Sequence, residues 1–408
     1  MKKLLCLLIA VSLILSLAAC KQQDQAEDTT ESTDPVVASV FTYPDYTLPE
    51  GATAEQMRQT AVQAMRDLLS IQWSPAEGIS YFNTAGRDKQ FDYIPGFIYG
   101  GLLYSGAGSG LFQYLEYYNQ NTGRLTYPGT SDELRKAIGS GCADSLLWSW
   151  STVANSFACG YYPSVMVYKN GFLPVGNYTY DKELKSYYTL STEDIIAKNT
   201  RDVIVDAYTK VLPADALISS SADHAMMAIE LPVVQYKTDG TIDTAASYIV
   251  IQDQRGGRTS TTFYEEQEGS HTIYYNSQRA MKITFDELLK KNYIPVTIAE
   301  FIGEQPYEKA YVSTQDKVCT ELKHLQNVMI ESNYPLALIN VLAVDNKGKT
   351  VEVDKILFHG ANGEGPPCAF NFSQMESLHT LDVNEYTRLM IEVVVATGER
   401  FTPVDIPI

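Results

Sequence analysis

The chain has 408 residues, 45% hydrophobic and 20% charged, which describes folded protein with more residues than one ordinary core employs. Thirty-one basic residues against forty-nine acidic ones give a net charge of −18, which argues against nucleic-acid binding, since that requires a basic stripe. None of the five histidines pairs with another at ligand spacing, which argues against a histidine-rich metal site.

Lys2 and Lys3 precede an apolar stretch over 4–19. It is short for a bilayer span and ends in small residues, as a cleaved export signal does. Leu17-Ala18-Ala19-Cys20 resembles the lipobox of bacterial lipoproteins. That resemblance implies that 1–19 is removed and Cys20 is lipidated, tying the protein to the outer face of the bacterial cell membrane. Residues 20–50 are rich in Gln, Asp, Glu, Thr, Ser and Pro and read as a flexible tether. Beyond Cys6 and Cys20 only Cys142, Cys159, Cys319 and Cys368 remain, too few for a disulfide framework, although Cys319 and Cys368 could pair.

Downstream, Thr53 and Gln56 form a capping-box start, and Met57, Ala61, Ala64, Met65 and Leu68 follow at helical spacing, predicting a helix over 53–70. The stretch to about 140 reads as loop-rich. Its run Gly106-Ala107-Gly108-Ser109-Gly110 lacks the lysine and hydroxyl of a phosphate loop. A short helix is expected over 134–138, broken by Gly139-Ser140-Gly141, and a longer one over 143–157. Residues 160–190 are tyrosine-rich, and helical signals return over 192–210. Strands are expected at 214–219, 224–236, 247–254, 271–275, 279–283 and 293–298, with a capped helix over 284–291. After about 306 the runs 336–344, 351–358 and 388–396 are short and β-rich, with a hairpin tip at Asn346-Lys347-Gly348. The expectation is an α+β chain: a helix-plus-antiparallel-sheet domain over 51–306, then a small all-β sandwich over 307–408, independently folded and without catalytic residues.

Three places carry potential chemistry. Cys142 sits where a glycine turn meets the first turn of a helix, and the helix terminus favours a thiolate there. His224 opens the apolar strand His224-Ala225-Met226-Met227-Ala228. Gln252, Asp253 and Gln254 end the next one. Gln252 and Gln254 share one strand face and Asp253 takes the other, so any of the three could orient the imidazole.

This order of cysteine, histidine and polar residue resembles the NlpC class of papain-like cell-wall peptidases. Pro213-Ala214-Asp215-Ala216-Leu217 is similar to that family's Pro-Gly-Asp segment before the histidine strand, and Phe97-Ile98-Tyr99-Gly100-Gly101 to its aromatic-Gly-Gly motif. The resemblance covers about 94–298, with an insertion at about 160–210. It departs at Gly141-Cys142-Ala143, where the family has Asp-Cys-Ser, and at Phe97, where it has tyrosine. The resemblance implies a catalytic triad of Cys142, His224 and Asp253, with substrate or oxyanion support from Tyr99 or Tyr104. It implies peptidoglycan stem peptides as substrate and no metal or organic cofactor. A wall or protein partner for the C-terminal region, or a non-catalytic scaffold on the same fold, are the accompanying expectations.

Overall fold

Thr53 and Gln56 close the expected capping box: the Thr53 hydroxyl accepts the Gln56 N–H and the Gln56 side chain accepts the Thr53 N–H. The resulting helix α1 (Ala54–Ser70) buries Met57, Ala61, Ala64, Met65 and Leu68. The computed structural model describes residues 35–82, 90–155, 171–180, 191–255, 264–314, 321–325, 328–360 and 366–408. The leader, Cys20, Cys159, Cys319 and most of the tyrosine-rich insertion lie outside the described residues, and with them the Cys319–Cys368 pairing.

The tether ends earlier than its composition suggests. Val37 and Tyr46 are buried, Val36 N–H donates to Thr122 O, and the Tyr46 hydroxyl donates to Asp67. The apolar and aromatic side chains scattered between 36 and 50 are enough to dock that segment.

After α1 the chain forms β1 (Gln72–Pro75), β2 (Ile79–Phe82), β3 (Gln90–Tyr93), β4 (Ile98–Gly100), α2 (Leu111–Leu115), β5 (Arg124–Leu125), α3 (Ser131–Ala137) and α4 (Cys142–Trp150). Then come β6 (Leu173–Pro174), α5 (Thr192–Lys198), α6 (Thr200–Tyr208), β7 (Ala216–Ser219), β8 (His224–Ala228), β9 (Tyr248–Gln254), β10 (Tyr264–Glu268), β11 (His271–Tyr275), β12 (Ser277–Thr284), α7 (Phe285–Lys290) and β13 (Ile294–Thr297). This is the expected α+β mixture. Six strands form one antiparallel sheet in the order β12-β9-β8-β7-β13-β6, on which α1 and α4 pack.

Two expectations are refined. Residues 70–140 are loop-rich as expected, but their short strands β1, β4 and β5 join the β10–β11 hairpin in a second sheet, β10-β11-β4-β1-β5. Gly100 is required there, because a Cβ on it would sit 1.9 Å from the Tyr275 ring. The strand expected over 224–236 stops at Ala228, and Val233 makes only an isolated bridge to Tyr248. Pro232, lacking an N–H, cannot continue the ladder.

Beyond 307 lie β14 (Val312–Thr314), α8 (Leu322–Leu325), β15 (Met329–Ser332), β16 (Leu336–Asp345), β17 (Thr350–Leu357), β18 (Ala369–Asn371), α9 (Glu376–Thr380), β19 (Tyr386–Val395) and β20 (Arg400–Pro407). The strands make two antiparallel sheets, β14-β15-β18 and β17-β16-β19-β20, while α8 and α9 correct the expectation of an all-β segment. The buried apolar cluster runs without a break from Met57 and Leu146 into Leu338 and Val393. At the seam Gly360 N–H donates to Gly108 O at 3.1 Å and Gln113 Nε2 donates to Phe358 O at 2.8 Å. A Cβ on Gly108 would lie 2.1 Å from Gly360 O, so the small-residue run exists for close backbone approach.

Candidate active site

Residues 139–141 set up the start of α4. Gly139 has φ +110°, and a Cβ there would fall 2.4 Å from Ser105 Oγ. The turn is stitched to the 105–109 loop: Gly139 N–H donates to Ser109 Oγ at 2.7 Å, Ser140 N–H to Leu103 O at 2.9 Å, and the Ser105 hydroxyl to Ile138 O at 2.9 Å. Gly141 is the N-cap, with its N–H on Asp144 Oδ2 at 3.3 Å. Cys142 follows as the first helical residue, where backbone N–H groups have no intrahelical acceptor.

Helix α4 is buried on almost every side, and its serines bond back along it: Ser145 to Gly141 O at 2.8 Å, and Ser149 to Ser145 O at 2.7 Å. Trp148 Nε1 donates to Gly108 O and Trp150 Nε1 to Ala214 O. The helix that presents Cys142 is thereby pinned to the glycine loop at one place and to the lead-in of β7 at another.

Strand pairing brings in the other two groups. β8 and β9 run antiparallel with Met227 opposite Gln252. Continued by one residue, that register puts Met226 opposite Asp253, and alternation puts His224 on the face of Met226. His224 Nε2 and Asp253 Oδ2 are 2.6 Å apart. Gln252 Nε2 instead donates to Val62 O at 3.1 Å, and Gln254 Nε2 to Leu102 O at 2.7 Å. The register therefore selects Asp253 over both glutamines as the partner of the imidazole. Cys142 lies near enough to raise the His224 imidazole electrostatically.

Cys142 is 7% exposed and Asp253 is fully buried, whereas the His224 side chain keeps 19% of its surface. Burial alone would lower the imidazole pKa. The charges of Cys142 and Asp253, with the Asp253 hydrogen bond, outweigh it and hold His224 up to about 9. Burial alone would raise the Asp253 carboxyl; the bonds and charges of His224 and Arg255 reverse this and keep it below the ordinary carboxylate range. The arrangement stabilises a proton on the ring between a sulfur and a carboxylate, as nucleophilic thiol chemistry needs.

The two tyrosines named with the triad separate. Tyr99 is turned into a cluster with Trp73, Tyr93 and Tyr274, and its hydroxyl accepts the Ile94 N–H at 2.8 Å. Tyr104 runs beside the turn before Cys142 through a bridge to Ser140. Within the tyrosine-rich stretch, Tyr178 is buried and bonds Pro295 O, with Tyr180 stacked on it, which is packing.

Sequence reasoning missed two residues. Arg255, just past the end of β9, donates from Nε to Asp253 Oδ2 at 2.7 Å; strand alternation, carried one step past Gln254, would have found it. Tyr293 leads into β13, and its phenol is raised by burial and by the charges of Asp253 and Cys142. Only the pairing of β13 with β7 reveals that proximity. Among the described residues no group of three or more His, Cys, Asp or Glu side chains could hold a metal ion, and no helix is long and apolar enough to cross a membrane. No protein-family model, curated protein or solved structure matches the chain.

Proposed function

We propose that the chain is a cysteine peptidase or amidase of the NlpC-type papain-like class, a lipid-anchored enzyme acting on peptidoglycan stem peptides outside the cell membrane. The observation that carries this reading is the imidazole of His224 held between Cys142 and Asp253 at the mouth of a helix N-terminus. In the proposed cycle His224 takes the Cys142 proton and Asp253 fixes the ring. The thiolate adds to a peptide carbonyl, and the Cys142 N–H takes part in holding the oxyanion. His224 then protonates the leaving amine, and water cleaves the thioester. Tyr104 is the tyrosine we assign to substrate support, because its backbone lies against the turn before Cys142. The two sheets after 307 we read as a β-sandwich accessory region that faces a partner in the wall. Attachment through Cys20 follows from the lipobox resemblance alone, and loss of fatty-acid labelling in Cys20→Ala tests it.

Defined muropeptides test the activity: the wild-type chain should release peptide fragments and Cys142→Ala should release none. Iodoacetamide should label Cys142 faster in the folded chain than in denaturant. Equal labelling rates with no turnover would instead support a non-catalytic wall-binding lipoprotein.

A further inference from the structure

Asp253 spends its two oxygens unequally. Oδ2 receives both His224 Nε2 at 2.6 Å and Arg255 Nε at 2.7 Å, while Oδ1 is buried without a partner. One oxygen thus serves an imidazole and a guanidinium together. Arg255 is itself held in place: its backbone N–H donates to Asn276 O at 3.0 Å, and Nη2 rests 3.7 Å from Met281 Sδ. Its side chain is 32% exposed, so it closes the solvent side of an otherwise buried carboxylate.

We propose that Arg255 is the positioning residue of this site: it clamps Asp253 Oδ2 against His224 and, by sharing that oxygen, limits how tightly the carboxylate holds the ring proton. The clamp has a physical logic. A buried carboxylate with only an imidazole for partner would hold the ring proton more strongly and make the ring slower to hand it on. A fixed guanidinium on the same oxygen removes part of that pull and also stops the carboxylate from rotating to offer Oδ1. Cys142 on α4 and Asp253 on β9 act on the ring directly, Arg255, just past β9, acts on Asp253, and the phenol of Tyr293, before β13, is coupled to Asp253, Arg255 and Cys142. Tyr264, at the start of β10, acts on Arg255. Among these, Arg255 is the permanent cation.

The proposal rests on the thiol–imidazole reading only for its effect on turnover, so its test reads the ring directly. In the full chain, the His224 ring resonance, assigned by its loss in His224→Gln, is titrated by NMR in wild type, Arg255→Gln and Arg255→Lys. Matched thermal melts control for folding. Arg255→Gln should raise the His224 midpoint by about one pH unit, the usual scale for one charge at this range, and Arg255→Lys should restore most of the wild-type value. The alkaline limb of Cys142 alkylation should move with it. An unmoved midpoint in Arg255→Gln overturns the proposal. A pH-independent alkylation rate in all three proteins, alongside the expected ring shift, would refute the nucleophile and uphold the clamp.

Discussion

Two arginine–aspartate pairs in this molecule, each with a buried carboxylate, have the same chemistry and opposite electrostatics. Arg58 and Asp215 meet at 2.8 Å with side chains 4% and 1% exposed. Arg58 also donates to Pro213 O, Phe301 O and Thr297 Oγ1, and Asp215 Oδ2 accepts the Leu212 N–H. Even so, burial dominates and raises the Asp215 carboxyl above its ordinary range. Asp253 is equally buried, yet its carboxyl is lowered, because a protonatable ring and a second cation share one oxygen. The first pair is a saturated joint tying α1 to the lead-in of β7. The second keeps unspent capacity: Oδ1 has no partner, the imidazole is partly open, and the guanidinium is a third exposed. Saturation marks structure; residual capacity in a charged cluster marks chemistry.

Breaking the second cluster should have the larger consequence for activity. Cys142→Ala is expected to lower kcat/KM on muropeptides by about 10⁴-fold or more, and His224→Ala by a similar factor. Their double variant should be little worse than either, since the two act as a unit. Cys142→Ala removes one small buried atom, so its melting temperature should stay near wild type. A variant with near-normal turnover would remove the distinction between the two clusters.

Breaking the first should do the reverse. Arg58→Met leaves Asp215 buried without its cation and should cost about 3–5 kcal/mol of stability by denaturant unfolding. The folded fraction at low temperature should retain Cys142 alkylation at close to the wild-type rate. Arg58→Met combined with Asp215→Leu should recover much of the loss, because no unpaired charge remains.

Asp253→Asn sharpens the contrast from within the site, with an expected loss of about 10²-fold in turnover. The signs of the linkage follow from the two shifts. His224 is raised from 6.5 to about 9, so its contribution to stability is full below 6.5 and is lost as pH rises toward 9. Asp253 is lowered, so its contribution is present above the ordinary carboxylate value and is lost as pH falls through the depressed one. In Asp253→Asn the alkaline loss should therefore still begin near 6.5 but be smaller and complete at lower pH, measured as melting temperature between pH 6 and 10. Gln252→Ala, whose amide holds Val62 O, should destabilise without moving that limb.

What could be read from the sequence was whatever local pattern determines. Thr53–Gln56 and Thr284–Glu287 announce their helices by capping, and Gly141-Cys142 announces a helix start. Strand alternation set Asp253 on the opposite face from Gln252 and Gln254 but left the face open, and settling on Asp253 needed the pairing of Met227 with Gln252, a non-local fact. The β10-β11-β4-β1-β5 sheet was illegible for the same reason. Its strands are two to five residues long, too short for a period, and β4 pairs with β11, which lies in sequence between β9 and β12 of the six-stranded sheet. The glycine run 106–110 could be rejected as a phosphate loop, yet its actual partner at Gly360 lies about 250 residues on.

The smallest expected effect concerns Ala214, which stands where the resembled family has glycine. Its φ is +72°, a left-handed conformation that costs an alanine about 1–2 kcal/mol. The conformation is enforced from both sides: Ala214 N–H donates to Ala228 O at 2.8 Å, and Ala214 O receives Trp150 Nε1 at 2.9 Å. Ala214→Gly removes the strain, but it also gives up a fully buried methyl worth about 0.8 kcal/mol and frees the unfolded chain by about 0.4–1 kcal/mol. The three contributions nearly cancel, so Ala214→Gly should unfold within about 1 kcal/mol of wild type, with Cys142 alkylation unchanged. Ala214→Val, β-branched at the same φ, has no such compensation and should be clearly destabilised. If glycine proved as damaging as valine, the methyl packing would be what matters here. The turn joining the Arg58–Asp215 joint to the Cys142 helix would then hold its shape without strain.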